Sequence, residues 1–172
     1  RVFVGLFTST AYNRTPREIP LLRQKLDRVI QRAGFRPASH DGKALMNILE
    51  TYPRDELFQV SDDELFDTAM GILHLQERQR TAMFVREDPF QRYVTALVFV
   101  PRDHFDTELR EDLAEILEDA FGGPCVAFFP DFGTDSVLAR ILFVIKTGPG
   151  RIPDYRIEVI EDALREATRS WE

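Results

Sequence analysis

The hydrophobic period of the chain changes from that of a strand to that of a helix between Tyr93 and Phe121. Residues 93–100 (YVTALVFV) form a β-branched and aromatic run, which is typical of a strand buried on both faces. After a polar joint at residues 101–106 (PRDHFD), apolar side chains recur at the 3.6-residue period: Leu109, Leu113, Ile116, Leu117, Ala120 and Phe121. The pattern predicts a strand that feeds a helix through a short turn, as in a layered sheet domain.

The remaining patterns after Thr81 extend this unit to a ββαββα order. Further strands are predicted at residues 81–87, 124–130 and 136–146. A last helix is predicted from its single apolar stripe: Ile157, Ile160, Leu164, Ala167 and Trp171. A right-handed crossover after residues 93–100 leaves room for one strand, which residues 136–146 fill. The sequence therefore predicts a ferredoxin-like two-layer α+β sandwich, with four antiparallel strands and two helices on one face.

The first 80 residues carry mainly the period of helices. Residues 2–7 alternate weakly and predict a strand, which favours a chain cut from a larger protein. A three-helix unit then follows over residues 16–77, with helices at 16–33, 41–52 and 61–77. Thr15, Pro16 and Glu18 predict a capped start for the first helix, and Ser61 with Glu64 forms a capping box for the third. We expect two parts, residues 1–80 and residues 81–172.

Charge and cysteine content narrow the class of protein. The net charge of −7 hides an asymmetry, because residues 1–36 carry eight Lys and Arg against two acids. Most of these basic residues lie in the first predicted helix, at residues 16–33. We expect that helix to dock on acidic neighbouring surface rather than on nucleic acid. The single cysteine, Cys125, favours a small buried hydrophobe over a reactive thiol and indicates a reducing, cytoplasmic location. No apolar run approaches the roughly 18 residues of a membrane span.

Few residues carry the pattern of a catalytic or metal site. Asp103 and Asp106 flank His104, and such a carboxylate-imidazole group could transfer protons or bind a metal. The three histidines show no metal-ligand spacing, however, and no phosphate-binding, dinucleotide-binding or GxSxG loop is present. Arg54 and Arg102 share a Pro-Arg-Asp context, which local turn formation explains better than a repeated binding element. Each arginine could still bind a carboxylate ligand or a partner domain. We expect no metal, cofactor or catalytic residue, and five candidate ligand or interface residues: Arg54, Arg102, Asp103, His104 and Asp106.

Several longer strings resemble a known family. VGLFTSTAYN, PREIPLLRQKL, GKALMNILETYPRDELFQ, LVFVPRDHFDTELR and AFGG are similar to the regulatory region of the large bacterial NAD-specific glutamate dehydrogenases. The resemblance implies an ACT-like domain at residues 81–172, preceded by a helical piece at residues 16–77. None of the family's catalytic or NAD-binding motifs matches a position here, so NAD is expected only in the parent enzyme. In amino-acid-binding ACT domains the loop that corresponds to residues 101–106 often contains glycine, and here it contains none.

Three functions remain open at this stage. The first is a non-catalytic regulatory and assembly module of an NAD-dependent glutamate dehydrogenase. Its partners would be other domains and subunits of a homo-oligomer, with no nucleic acid and no membrane. The second is an amino-acid-sensing module with Arg102, Asp103 and His104 near the effector. The third is a small hydrolase that uses Asp103 and His104.

Overall fold

The chain folds into two compact units, Arg1–Glu77 and Arg78–Glu172. The computed structural model describes residues 2, 4–134, 136–148 and 151–169. Within those ranges, no helix has both the length and the apolar character needed to cross a membrane.

The first unit is helical, and its elements follow one another with short connections. They are α1 (Ser9–Asn13), a 3₁₀ helix (Pro16–Glu18), α2 (Pro20–Ala33), α3 (His40–Glu50), α4 (Arg54–Gln59) and α5 (Asp62–Glu77). The helices α2, α3 and α5 pack against one another. Their apolar stripes supply a fully buried core that includes Leu22, Leu26, Leu45, Leu49 and Leu65. The three predicted long helices are therefore present.

The capping box of α5 is confirmed atom by atom. The Glu64 N–H donates to Ser61 Oγ at 3.2 Å, and the Ser61 N–H donates to Glu64 Oε2 at 3.0 Å. Each side chain thus binds an amide that the first helical turn leaves without an intrahelical partner.

The predicted start of the first long helix at Thr15 is wrong. Thr15 Oγ1 accepts from the Arg17 N–H at 3.4 Å, and the chain forms only a short 3₁₀ helix before α2 begins at Pro20. Pro20 has no amide proton, and its ring disfavours helical dihedrals at the residue before it. Ile19 accordingly has φ −98° and ψ 113°, which separates the 3₁₀ helix from α2.

One further prediction for this unit, the strand at residues 2–7, is wrong. The described residues of 2–7 form no strand, and Val2, Val4 and Leu6 are almost fully exposed; residue 3 lies outside the described ranges. A strand needs a partner for its backbone groups, and weak alternation supplies none. The structure also contains two short helices that the sequence did not predict, α1 and α4, the second of which follows Pro53. Both helices are too short for periodicity to reveal.

The second unit is the predicted two-layer sandwich. Its strands are β1 (Ala82–Glu87), β2 (Tyr93–Pro101), β3 (Cys125–Asp131) and β4 (Leu138–Lys146), and its helices are α6 (Thr107–Phe121) and α7 (Ile157–Arg169). All strand pairs are antiparallel in the order β1-β2-β4-β3, with a bulge in β3 between Cys125 and Ala127. The strand order deduced from the crossover rule is confirmed.

The core of this unit lies between one face of the sheet and the two helices. It is built from alternate residues of β2 and β4 and from the stripe of α6: Val94, Ala96, Val98, Val100, Ala139, Ile141, Phe143, Ile145, Leu109, Leu113, Leu117 and Phe121. From α7, Ile160 and Leu164 join this core, whereas the predicted stripe residue Trp171 lies outside the described ranges. The joint between α6 and β3 is tight, because a Cβ on Gly123 would lie 1.9 Å from the Lys146 carbonyl oxygen.

Candidate functional site

The strand-to-helix joint after β2 places four of the five candidate residues at one corner of the sheet. A 3₁₀ helix (Arg102–His104) follows Pro101 and leads to Asp106, the N-cap of α6. Asp106 Oδ1 accepts from the Leu109 N–H at 2.8 Å. Such a cap stabilises a helix by about 1 kcal/mol, which accounts for Asp106 without a ligand.

Arg102 ties the joint to the connection between β3 and β4. Its Nη1 donates to the carbonyl oxygens of Phe132 and Gly133, each at 3.2 Å. The guanidinium lies 5.8 Å from the centroid of the Phe132 ring, which also contacts Phe105 at 5.5 Å between centroids. This side chain therefore organises two neighbouring loops of its own unit.

Asp103 and His104 are adjacent in the sequence, but the structure does not join them as an acid-base pair. Asp103 is exposed, His104 is half-buried, and within the described ranges no hydrogen bond links the two side chains. The Nδ1 atom of His104 is buried without a hydrogen-bond partner. A hydrolytic dyad would need the carboxylate to orient the imidazole, and this contact is missing from the described geometry.

Arg54 lies in the helical unit and also binds backbone carbonyls. Its Nη1 donates to the Ala11 carbonyl at 2.6 Å and to the Arg14 carbonyl at 2.9 Å, at the end of α1. Burial lowers the pKa of the guanidinium from its ordinary value. Asp55 adds a contact to α1 by accepting from the Tyr12 hydroxyl at 2.8 Å. The Pro-Arg-Asp segment at residue 54 thus anchors the short helix.

The basic face of α2 contacts the start of α5 as the charge pattern predicts. Arg28 forms an ion pair with Asp62, and Arg32 Nη1 lies 2.5 Å from Asp63 Oδ1. Lys25 Nζ donates to the Val60 carbonyl at 2.6 Å. The expected docking of this helix on acidic neighbouring surface is therefore seen at two residues of α5, Asp62 and Asp63.

Metal binding and thiol chemistry receive no support from the described geometry. Across the described ranges, no three His, Cys, Asp or Glu residues are placed to hold a metal ion. The Cys125 thiol is half-buried, and burial raises its pKa above the ordinary value. A raised pKa lowers the thiolate fraction, which disfavours a nucleophilic role.

The structure exposes apolar side chains along the edge strand β3 and at the residue after it, which the sequence pattern concealed. We call it the β3 edge patch and define it by its exposed side chains: Val126, Phe128, Phe129 and Phe132. Val126 and Phe129 are 56% and 58% exposed. The run CVAFFPD has the composition of a buried strand, so only Pro130 within it could have signalled an edge.

Comparison with known proteins identifies the family. Residues 19–78 match the model described as glutamate dehydrogenase, helical motif 1, and residues 82–172 match glutamate dehydrogenase, ACT2 domain. The NAD-specific glutamate dehydrogenase of Halomonas elongata is 47% identical and aligns with 99% of the chain and 10% of its own length. That of Pseudomonas aeruginosa is 39% identical with the same two coverages, and that of Mycobacterium tuberculosis is 35% identical over 98% of the chain and 11% of its own length.

The chain thus spans about a tenth of the length of these relatives. The family matches cover both units that the structure separates, the helical one and the ACT-like one. The resemblance seen in the sequence strings is confirmed, and the chain belongs to the glutamate dehydrogenase family, in its helical motif 1 and ACT2 domain.

Proposed function

We propose that this chain is a non-catalytic regulatory and assembly module of an NAD-dependent glutamate dehydrogenase. The complete enzyme would oxidise glutamate to 2-oxoglutarate and ammonia in the cytoplasm, with NAD bound elsewhere in the polypeptide. Its partners would be other domains and subunits of a homo-oligomer. The names of the relatives support the parent activity, and the ACT2 match supports the regulatory role.

The observation that carries the proposal is the use of the polar residues. Arg54 and Arg102 each bind two backbone carbonyls, and Asp106 caps α6. These contacts give each of the three side chains a structural role within its own unit, which supports a non-catalytic module. The exposed β3 edge patch, by contrast, has the character of a contact surface, since exposed aromatic side chains mark interaction sites.

Two measurements test this role. The 172-residue chain, incubated with glutamate and NAD, is expected to produce no NADH under conditions where the full-length enzyme does. Turnover by the chain alone would overturn the proposal.

In the full-length enzyme, deletion of residues 78–172 is expected to alter the oligomeric state or the response of the rate to effectors. If light scattering and effector titrations both matched the intact enzyme, the regulatory and assembly role would be rejected.

A second candidate, amino-acid sensing at the joint, is favoured by the unsatisfied Nδ1 of His104. A buried ring nitrogen without a partner is a place where a ligand donor or acceptor could bind. Isothermal calorimetry of the chain against a panel of amino acids tests this, with His104→Phe as the variant and His40→Phe as the control. Heat that His104→Phe removes and His40→Phe retains would support sensing, and no heat at millimolar concentration would reject it.

A further inference from the structure

The two faces of the β3 edge both carry aromatic rings. In an antiparallel pair, directly opposite residues share a face, so Phe128 lies on the side of its partner Phe143, which belongs to the core beneath α6 and α7. The Arg110 guanidinium of α6 lies 4.3 Å from the centroid of the Phe128 ring. Phe129 pairs with Leu142 and therefore lies on the opposite face. A partner at this edge meets a phenyl ring on either side.

The direction of the backbone groups of β3 follows from the ladder between β2 and β4. The Arg102 N–H donates to the Val137 carbonyl at 2.8 Å, and the Thr147 N–H donates to the Arg92 carbonyl at 3.0 Å, so both pairs occupy hydrogen-bonded positions of this ladder. Bonding pairs alternate along an antiparallel ladder, so the peptide groups of Ile141 and Phe143 also face β2. Their partners on β3, Pro130 and Phe128, consequently direct their peptide groups away from β4, toward the outer edge.

This outer edge is rich in acceptors and poor in donors. Phe128 offers one N–H and one carbonyl, whereas Pro130 offers only a carbonyl because its ring nitrogen has no proton. At the start of the strand, the outward N–H of Cys125 already donates to Glu118 Oε1 of α6 at 2.6 Å. At the opposite edge of the sheet an outward N–H is likewise bound by a helix glutamate, since the Met83 N–H of β1 donates to Glu161 Oε1 of α7 at 2.9 Å.

An added strand would therefore pair poorly with β3. Opposite Pro130 its carbonyl would find no donor, and a second copy of β3 would bring the same acceptor-rich edge. A helix has no such requirement, because its backbone groups bond within the helix. Two ion pairs beside the edge are formed within the unit, Arg140 with Asp131 at 2.6 Å and Arg110 with Glu111 at 2.8 Å. The exposed rings themselves require an apolar complementary surface.

We propose that the β3 edge patch docks the apolar face of a helix from another part of the parent dehydrogenase polypeptide, and that Pro130 excludes a strand from this position. The inference rests on the proposed function, in which this chain is one module of a larger enzyme.

Photo-cross-linking in the full-length dehydrogenase tests the partner. p-Benzoylphenylalanine replaces Phe129, and in a control enzyme it replaces Phe90, which is 73% exposed in the turn between β1 and β2. The expected result is a cross-link from position 129 to residues outside this chain at spacings of three or four, with no such cross-link from position 90. Cross-links to residues 125–132 of a second copy, cross-links at alternate residues of a strand, or none at position 129 would each overturn the proposal.

A second variant tests the role of Pro130 without the parent enzyme. Pro130→Val restores the missing N–H, and it is expected to make the 172-residue chain self-associate with rising concentration in light scattering, whereas Pro37→Val is not. A wild-type chain that already dimerises, with dimers lost in Phe129→Ser, would assign the patch to a second copy and overturn the inference. Turnover by the full-length enzyme is measured alongside, so failure of this docking is distinguishable from failure of the proposed function.

Discussion

At the scale of single residues, Arg54 and Arg102 have similar sequence contexts, and both side chains bind backbone carbonyls of a nearby segment. Each follows a proline and precedes an aspartate, and each Nη1 bridges two backbone carbonyls of a nearby segment. The guanidinium suits this use because it stays protonated and presents several donors in a fixed plane. The two sites differ in what they hold, since Arg54 fixes the end of α1 and Arg102 fixes the connection between β3 and β4.

Asp88 is a buried carboxylate in the connection between β1 and β2. Its side chain is 3% exposed, and its carboxylate accepts from Arg92 Nε at 2.8 Å and from Arg92 Nη2 at 3.1 Å. These hydrogen bonds hold the pKa of Asp88 at about 2, below the ordinary value of 3.8. Because the folded pKa is the lower one, this stabilisation is complete above 3.8 and is lost as the pH falls toward 2.

Replacement of Asp88 by Asn is therefore expected to destabilise the chain at neutral pH by about 1.5 kcal/mol, as for other charge-assisted hydrogen bonds. The difference from wild type should shrink as the pH falls below 3.8. Urea unfolding at several pH values measures this. Asp162→Asn is the control, since it removes an exposed ion pair with Arg165 on α7 and should have little effect. A difference independent of pH would contradict the charge argument.

At the scale of elements, the two helix-start signals in the sequence had different outcomes. Ser61 and Glu64 form the predicted box, whereas Thr15 and Glu18 do not, because Pro20 moves the helix start. Substitution can show this difference. We expect Ser61→Ala to lower the free energy of unfolding by about 1 kcal/mol. Thr15→Ala should cost clearly less, because its 3.4 Å contact caps only a 3₁₀ turn. Equal losses in denaturant unfolding would count against the corrected start.

The helix α6 illustrates burial as the main source of stability. Leu113 is fully buried in the core beneath the sheet, while Val159 of α7 is 56% exposed. Leu113→Ala is expected to lower the free energy of unfolding by about 3 kcal/mol, since it removes buried methyl groups and leaves a cavity. Val159→Ala, the matched control, should stay within about 0.5 kcal/mol of wild type. Comparable losses in both variants, measured by thermal and chemical unfolding, would contradict the assigned face of α6.

At the scale of the whole molecule, the chain contains two compact units, each with its own core. In the second unit, the buried cluster draws every member from residues 83–164. The boundary expected at residue 80 therefore leads to a prediction about autonomy. We expect residues 78–172, expressed alone, to give native-like circular dichroism and one cooperative thermal transition. Residues 93–172, which lack β1 and the buried Met83, should melt at a lower temperature or not cooperatively. A non-cooperative transition for residues 78–172 would reject the boundary.

The sequence predicted most of the fold but little of the candidate site. The order of strands followed from residues 93–146, because the crossover has one favoured hand and leaves one vacant place. The long helices were predicted because their apolar side chains recur at the 3.6-residue period. The contacts of Arg54 and Arg102 were not predictable, since each joins residues about 30 to 43 positions apart. Such distant pairs leave no periodic trace in the sequence.

The sequence by itself determined the element order, the apolar faces of α6 and β2 and the family resemblance, because periodicity and strings of residues are local properties. Only the tertiary structure decided that Asp106 is a helix cap and that Arg102 holds a neighbouring loop. It also decided that β3, whose composition is that of a buried strand, exposes its rings at the end of the sheet. Exposure depends on what the rest of the chain places nearby, and the folded structure alone provides that information.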